Sequence, residues 1–202
     1  MEKGKLIVLS GPSGTGKGTI CRELLKTGEM DLSISMTTRQ PRTGEKDGVH
    51  YYFVSREEFL KTVEEGGFLE HAEIYGNFYG TPRAAVLEKL DKGRDVILEI
   101  EMQGAVQVKK SYPDAVLIFI LPPSLEVLRD RLTGRGTETE EQIRARSSQA
   151  LSEIHRIYDY DYSIVNDSLR DAVSDVRAII RAEHLRVGAG SEALVRKYEE
   201  EE

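Results

Sequence analysis

A single cysteine, Cys21, stands among the 202 residues, so the chain can form no internal disulfide and a reducing compartment is expected. Cys21 falls in the expected first helix, where a small buried residue is a better reading than a nucleophile. Long apolar runs are missing as well. The longest, Ala115–Leu121, falls far short of the about 20 residues that cross a bilayer as a helix. Because the first strand-like run starts at Lys5, no signal peptide is expected. A cytoplasmic location with no membrane partner is the expectation. Positive charge is not in excess either: 28 Lys and Arg against 35 Asp and Glu give a net charge of −7. That balance argues against nucleic acid as a partner, which favours a basic face. No internal repeat is visible. Hydrophobic residues at 39% and charged residues at 31% are ordinary for a folded enzyme and exclude a disordered chain.

What is present is concentrated near the start. Leu6-Ile7-Val8-Leu9-Ser10 reads as a buried strand, and Gly11-Pro12-Ser13-Gly14-Thr15-Gly16-Lys17-Gly18-Thr19 follows it. Ile20–Lys26 then starts an amphipathic helix. Strand, glycine-rich turn, lysine and helix are the context of a phosphate-binding P-loop. The glycines let successive N–H groups curl around phosphate oxygens, the helix N-terminus adds partial positive charge, and Lys17 brings a full one. Gly18 departs from the usual pattern, in which Ser or Thr after the lysine holds magnesium. A metal would then be held by water, nucleotide phosphates and a carboxylate elsewhere.

Strand-like runs recur at Lys5–Ser10, Asp95–Glu101, Ala115–Leu121 and Tyr162–Asn166, with helix-like segments between them. Alternation of this kind implies an α/β fold, a doubly wound parallel sheet flanked by helices. Two stretches break the rhythm. From about Asp31 to Arg83, short β-like pieces (Tyr51–Val54 and Phe68–Ile74) surround a helix opened by the capping box Ser55-Arg56-Glu57-Glu58. From Leu132 to Ser147 the chain is polar, with Gly134 and Gly136 as flexible points, and Thr139–Gln142 is a second capping box. The expected division is a core of 1–32, 84–131 and 148–187, a small mixed β/α insertion at 33–83, a mobile lid at 132–147, and a solvated tail at 188–202. Both insertions should project from the carboxyl edge of the sheet, where ligands bind in open α/β folds.

The first insertion holds a candidate second site. Arg39 and Arg42 flank a proline-constrained turn, and Ser35, Tyr51 and Tyr79 add hydroxyl donors. Two guanidinium forks and hydroxyls suit a dianionic monophosphate, although alone these are common surface residues.

Five motifs occur in order: Ser-Gly-Pro-Ser-Gly-Thr-Gly-Lys, Thr-Thr-Arg-Gln-Pro-Arg-Thr-Gly-Glu, Gly-Asn-Phe-Tyr-Gly-Thr, Ile-Glu-Met-Gln-Gly and Gly-Arg-Gly-Thr-Glu-Thr-Glu-Glu. This series resembles that of the guanylate kinases, P-loop nucleoside monophosphate kinases, over about residues 5–187. The resemblance implies a P-loop NTPase-like core with a GMP-binding insertion and a lid. It implies transfer of the γ-phosphoryl group of ATP to GMP, and to dGMP, with Mg2+ as cofactor and ATP and GMP as the small-molecule partners, the oligomeric state being left open.

It also implies roles. Gly11, Pro12, Ser13, Gly14, Thr15, Gly16, Lys17, Gly18 and Thr19 match the ATP phosphate loop, and Asn166 a position near the adenine. Ser35, Arg39, Arg42, Tyr51 and Tyr79 match the holders of the GMP phosphate. Glu70, Thr81 and Glu101 match readers of the guanine, and Glu99 a position near magnesium, directly or through water. Both Glu99 and Glu101 stand where relatives often carry aspartate. Arg131, Arg135 and Arg146 match arginines that close over the phosphates and act with Lys17 and Arg39 in catalysis. Chemistry supports Glu70: guanine presents N1–H and its 2-amino group side by side to a carboxylate, whereas adenine offers neither donor there.

Two rival readings stay open at this point. A kinase for another nucleoside monophosphate shares the P-loop, and a non-catalytic scaffold can reuse the former GMP site to bind phosphorylated partners.

Overall fold

The computed structural model describes residues 3–133 and 151–201. Five parallel strands form the central sheet: β1 (Leu6–Ser10), β2 (Met30–Leu32), β7 (Asp95–Glu99), β8 (Val116–Leu121) and β9 (Tyr162–Val165). Their order is β2-β7-β1-β8-β9, with β1 at the centre. Helices cover both faces because β1 is apolar on both parities. Ile7 and Leu9 pack with Ile20 and Leu24 of α1 (Lys17–Leu25) and with Val173, Val176 and Ile180 of a long C-terminal helix. Leu6 and Val8 pack on the opposite face with Val86 and Leu90 of α3 (Arg83–Asp91) and with Ala105 and Val108 of α4 (Met102–Ser111). Each of these four β1 side chains is fully buried, which removes on the order of 2 kcal/mol of unfavourable hydration per residue.

A second sheet is built entirely from the first insertion. Its order is β4-β3-β6-β5, where β3 is Met36–Thr37, β4 Tyr52–Phe53, β5 Phe68–Ile74 and β6 Asn77–Pro82. Between β4 and β5 lies α2 (Arg56–Glu64), and its N-cap Ser55 accepts from the Glu58 N–H at 3.1 Å as the capping box implies. The buried Phe59 of α2 stacks on Phe68 and Phe78, giving this layer a small core of its own. After β8 the chain forms α5 (Leu125–Thr133), and after β9 it forms α6 (Leu169–His184) and α7 (Ala189–Glu200).

Several expectations shift. The first helix begins at Lys17 rather than Ile20, so the P-loop lysine belongs to its first turn. Strand β7 stops at Glu99, which leaves Glu101 as the N-cap of α4 instead of a strand residue. The expected tail is helical over Ala189–Glu200, though its Glu199 and Glu200 are exposed. The capping box at Thr139–Gln142 lies outside the described residues. No helix among the described residues is long and apolar enough to cross a membrane.

Candidate active site

The P-loop sits at the carboxyl end of β1. Thr15 is fully buried and donates to the Pro12 carbonyl at 3.0 Å, tying the loop to itself. The Lys17 ammonium folds back over the loop and donates to the carbonyls of Gly11 (2.6 Å) and Pro12 (2.9 Å). Burial lowers its pKa below that of an ordinary lysine, while the carboxylates of Glu101 and Glu99 oppose the shift. Gly16 adopts φ 92°, which favours glycine, and a Cβ there would collide with the Asn166 amide. Asn166 is buried and donates from Nδ2 to the Thr15 carbonyl at 2.8 Å. Its own backbone carbonyl accepts from Arg131 Nη2 at 3.0 Å. Asn166 thus links the end of β9, the P-loop and α5, and its side-chain amide is spent on the loop. The second terminal nitrogen of Arg131, Nη1, is buried and has no hydrogen-bond partner among the described residues.

Glu99 lies over the unusual Gly18. A Cβ on Gly18 would stand 3.1 Å from Glu99 Oε1 and 3.3 Å from Oε2, a tight contact to which the exposed glutamate must yield by a few tenths of an ångström. Desolvation raises the Glu99 pKa, against the pull of Lys17 and Arg22, and Glu101 raises it further. An oxygen-donor carboxylate over the first turn of α1 fits a hard divalent cation that keeps part of its water shell. No group of three or more His, Cys, Asp or Glu with ligand spacing exists among the described residues. Cys21 is buried beside this site, and desolvation pushes its thiol up to about 12, which leaves it unreactive.

In the second sheet, Arg39 lies over the rings of Tyr51 and Phe53, with its guanidinium carbon 5.5 and 5.9 Å from the centroids. Tyr51 meets Tyr79 edge-on at 6.0 Å. Glu45 fixes the pair of arginines: one oxygen takes the Arg39 guanidinium at 2.9 Å, the other the Arg42 backbone N–H at 2.7 Å. The Arg39 and Glu45 side chains are only 15% and 19% exposed, so this pair is held rather than freely solvated. Ser35 is half-buried, and its carbonyl accepts from the Tyr52 N–H at 2.9 Å, joining β4 to the chain before β3.

Glu70 is the buried carboxylate of this layer, at 7% exposure. The hydroxyl of Thr81, itself fully buried, donates to Glu70 Oε1 at 2.7 Å. Burial pushes the Glu70 pKa up, and hydrogen bonds from Thr81 partly offset it. Its Oε2 lies over Gly104 of α4, where a Cβ would come within 2.8 Å. The hairpin between β5 and β6 and the P-loop share one cleft of ≈ 570 Å³, lined among others by Ser13, Glu101, Glu73, Tyr75 and Arg156.

Among the sequence-marked residues, the P-loop lies against Glu99 at Gly18 and against Asn166, whose carbonyl takes Arg131. In the second sheet Arg39 lies on Tyr51, Tyr51 on Tyr79, and Thr81 on Glu70, while Arg42 joins through its backbone N–H to Glu45 and Ser35 through its carbonyl to Tyr52. Of the marked residues, Ser13 and Glu101 line the cleft. Arg135 and Arg146 lie outside the described residues. The sequence does not single out Glu45 or Gly104, which touch the marked residues Arg39, Arg42 and Glu70, although both fall within the motifs.

A P-loop at the carboxyl edge of a five-stranded parallel sheet flanked by helices marks the class of P-loop nucleotide-binding proteins. The family model for guanylate kinase matches residues 3–183. The chain is 54% identical over 202 residues to the guanylate kinase of Clostridioides difficile, covering 100% of this chain and 98% of that one. It is 50% identical to that of Caldanaerobacter subterraneus over 98% of this chain and 97% of the relative. The crystal structure of guanylate kinase from Anaplasma phagocytophilum superposes with a TM-score of 0.77 at 38% identity, covering 98% of this chain and 96% of that one. The chain belongs to the guanylate kinase family.

Proposed function

We infer that the chain transfers the γ-phosphoryl group of ATP to GMP, giving ADP and GDP, and acts on dGMP in the same way. Full-length identity to guanylate kinases supports the reaction, and the single observation that carries the choice of base is the buried Glu70–Thr81 pair. A carboxylate kept from water needs donors to offset its desolvation, and the paired N1–H and 2-amino donors of guanine supply them.

In this reading the P-loop N–H groups and Lys17 hold the donor phosphates, Lys17 exchanging its contacts to Gly11 and Pro12 for phosphate oxygens. Asn166 keeps the loop in shape through Thr15 and, on the family pattern, borders the adenine. Arg39 and Arg42, spaced by Glu45, hold the acceptor phosphate with Ser35, Tyr51 and Tyr79. Thr81 and Glu101 complete the guanine pocket around Glu70. The acceptor oxygen is already ionised at neutral pH, so no general base is needed. Rate acceleration comes from alignment and charge neutralisation, with Arg131 joined by Arg135 and Arg146 over the transferring group. Magnesium, bound with ATP, would neutralise phosphate charge, with Glu99 as the carboxylate that holds it directly or through water. Closure of the 33–83 insertion and the 132–147 lid on the core would exclude water from the transfer. The lone free cysteine fits a reducing cytosol.

Chromatographic analysis of ATP, GMP and enzyme with magnesium tests this reading. Equal amounts of ADP and GDP are expected; nucleotide binding without GDP formation would overturn it in favour of a scaffold.

A further inference from the structure

Glu70 stands on an edge strand at a point where the sheet is irregular. Strand β5 is outermost in the second sheet and, among the described residues, pairs only with β6. Its register slips between Phe68 and Glu70, so that two β5 residues face one step of β6. Such bulges re-aim side chains, and an edge bulge has no partner strand to hold it. Here helix α4 supplies the partner. Gln107 accepts from the His71 N–H at 3.1 Å through Oε1 and donates to the His71 carbonyl at 3.0 Å through Nε2. The amide reproduces both hydrogen bonds a neighbouring strand would make. One turn further, the Ser111 hydroxyl donates to the Leu69 carbonyl at 2.8 Å. One turn before, Gly104 leaves the space that Glu70 Oε2 occupies. These three helix positions, i, i+3 and i+7, share one face, and they grip the residues on either side of Glu70 while clearing room for Glu70 itself.

We propose that Gln107 is a positioning residue for nucleobase selection: it locks the backbone of His71 so that the bulged Glu70 presents its carboxylate in one orientation. The proposal rests on the reading of Glu70 as the guanine acceptor. It gives Gln107 no contact with substrate. A two-point carboxylate–guanine contact needs both oxygens aligned, so a strand free to slide on α4 weakens that contact and leaves the P-loop untouched.

The test uses the full chain with Gln107→Met, which keeps the side-chain volume and removes both hydrogen bonds, and Gln107→Glu, which keeps the acceptor and opposes a carboxylate to the His71 carbonyl. Steady-state rates are measured with GMP and with inosine monophosphate, which lacks the 2-amino group. In both variants KM for GMP is expected to rise about five- to tenfold, with kcat and KM for ATP within about twofold of wild type, the scale of lost hydrogen bonds. The preference for GMP over inosine monophosphate should shrink in parallel. An unchanged KM for GMP in both variants overturns the proposal. So does a uniform change in kcat and both KM values, which would mark Gln107 as structural only. If the wild-type chain itself takes inosine monophosphate as well as GMP, the Glu70 reading fails and the proposal falls with it.

Discussion

Gly104 and Glu70 are mutually dependent: a Cβ on Gly104 would come within 2.8 Å of Glu70 Oε2 and 3.2 Å of its Cδ. The glycine sits inside α4, where it costs about 0.5–1 kcal/mol relative to alanine. The helix tolerates that cost and the carboxylate keeps its place. Gly104→Ala should therefore change stability by no more than about 1 kcal/mol, the gain in helix propensity offsetting the crowding. Its effect on GMP should be larger, with KM raised about tenfold or more as Glu70 is displaced. Denaturant melts and steady-state kinetics with GMP and ATP varied separately check both parts.

Glu70 also ties function to stability. Burial raises its pKa in the folded chain, with Thr81 partly offsetting the rise. A carboxyl of this kind stabilises the fold while protonated, and that contribution is lost as pH rises through the folded pKa. At neutral pH the ionised group is a cost. Glu70→Gln keeps an acceptor for the Thr81 hydroxyl and removes the charge, so its Tm should exceed that of wild type at pH 7. The advantage should shrink as pH falls through the raised folded pKa of Glu70 and be gone below the ordinary glutamate range, where the group is protonated in both states. Thermal melts across that range check the sign, and a lower Tm for the variant at pH 7 would count against it.

Gly18 and Glu99 form a second such pair. Serine at 18 offers a hydroxyl for the metal but places its Cβ 3.1 Å from the Glu99 carboxylate. Gly18→Ser alone should lower kcat, and Glu99→Asp on top of it should restore part of the loss by withdrawing the carboxylate. The double-mutant cycle should show a coupling of about 1 kcal/mol or more, the range for residues in contact. Rates measured over a magnesium titration give the four values needed; simple additivity would separate the two residues.

Asn166→Ala leaves the buried Thr15 carbonyl without its donor. The expected cost is about 1–3 kcal/mol of stability. Because the loop it braces belongs to the donor site, KM for ATP should rise while KM for GMP changes little. Urea unfolding and a two-substrate kinetic matrix read these outcomes.

Long periodic or strongly apolar segments were legible in the chain, and short ones were not. Phe68–Ile74 is a strand with the expected bounds because its hydrophobic alternation and flanking Gly66 and Gly67 are local signals. Met30–Leu32 is only three residues long, too short for a period to register, yet it forms the edge of the parallel sheet through pairing with β7. Asn77–Pro82 contains Gly80 and ends in Pro82, residues that weaken a strand reading, and it is held by antiparallel pairing to both β3 and β5. Glu199 and Glu200 are exposed, as a charge run implies, and exposure does not prevent a helix at Ala189–Glu200. Around the candidate site, lying within a motif was not enough to reveal a residue's contacts. Glu45 needed its two contacts to Arg39 and Arg42, and Gln107 needed a strand 36 residues away.

The most direct test of the account is the ratio of kcat/KM for GMP to that for AMP, measured with ATP and magnesium on the wild-type chain and on Glu70→Ala. The account predicts a ratio of about 10⁴ or more for wild type, the discrimination reached by sites built on buried hydrogen bonds, and a fall of at least about a hundredfold in the variant. Comparable turnover of AMP by the wild-type chain, or a ratio unmoved by the substitution, would contradict it.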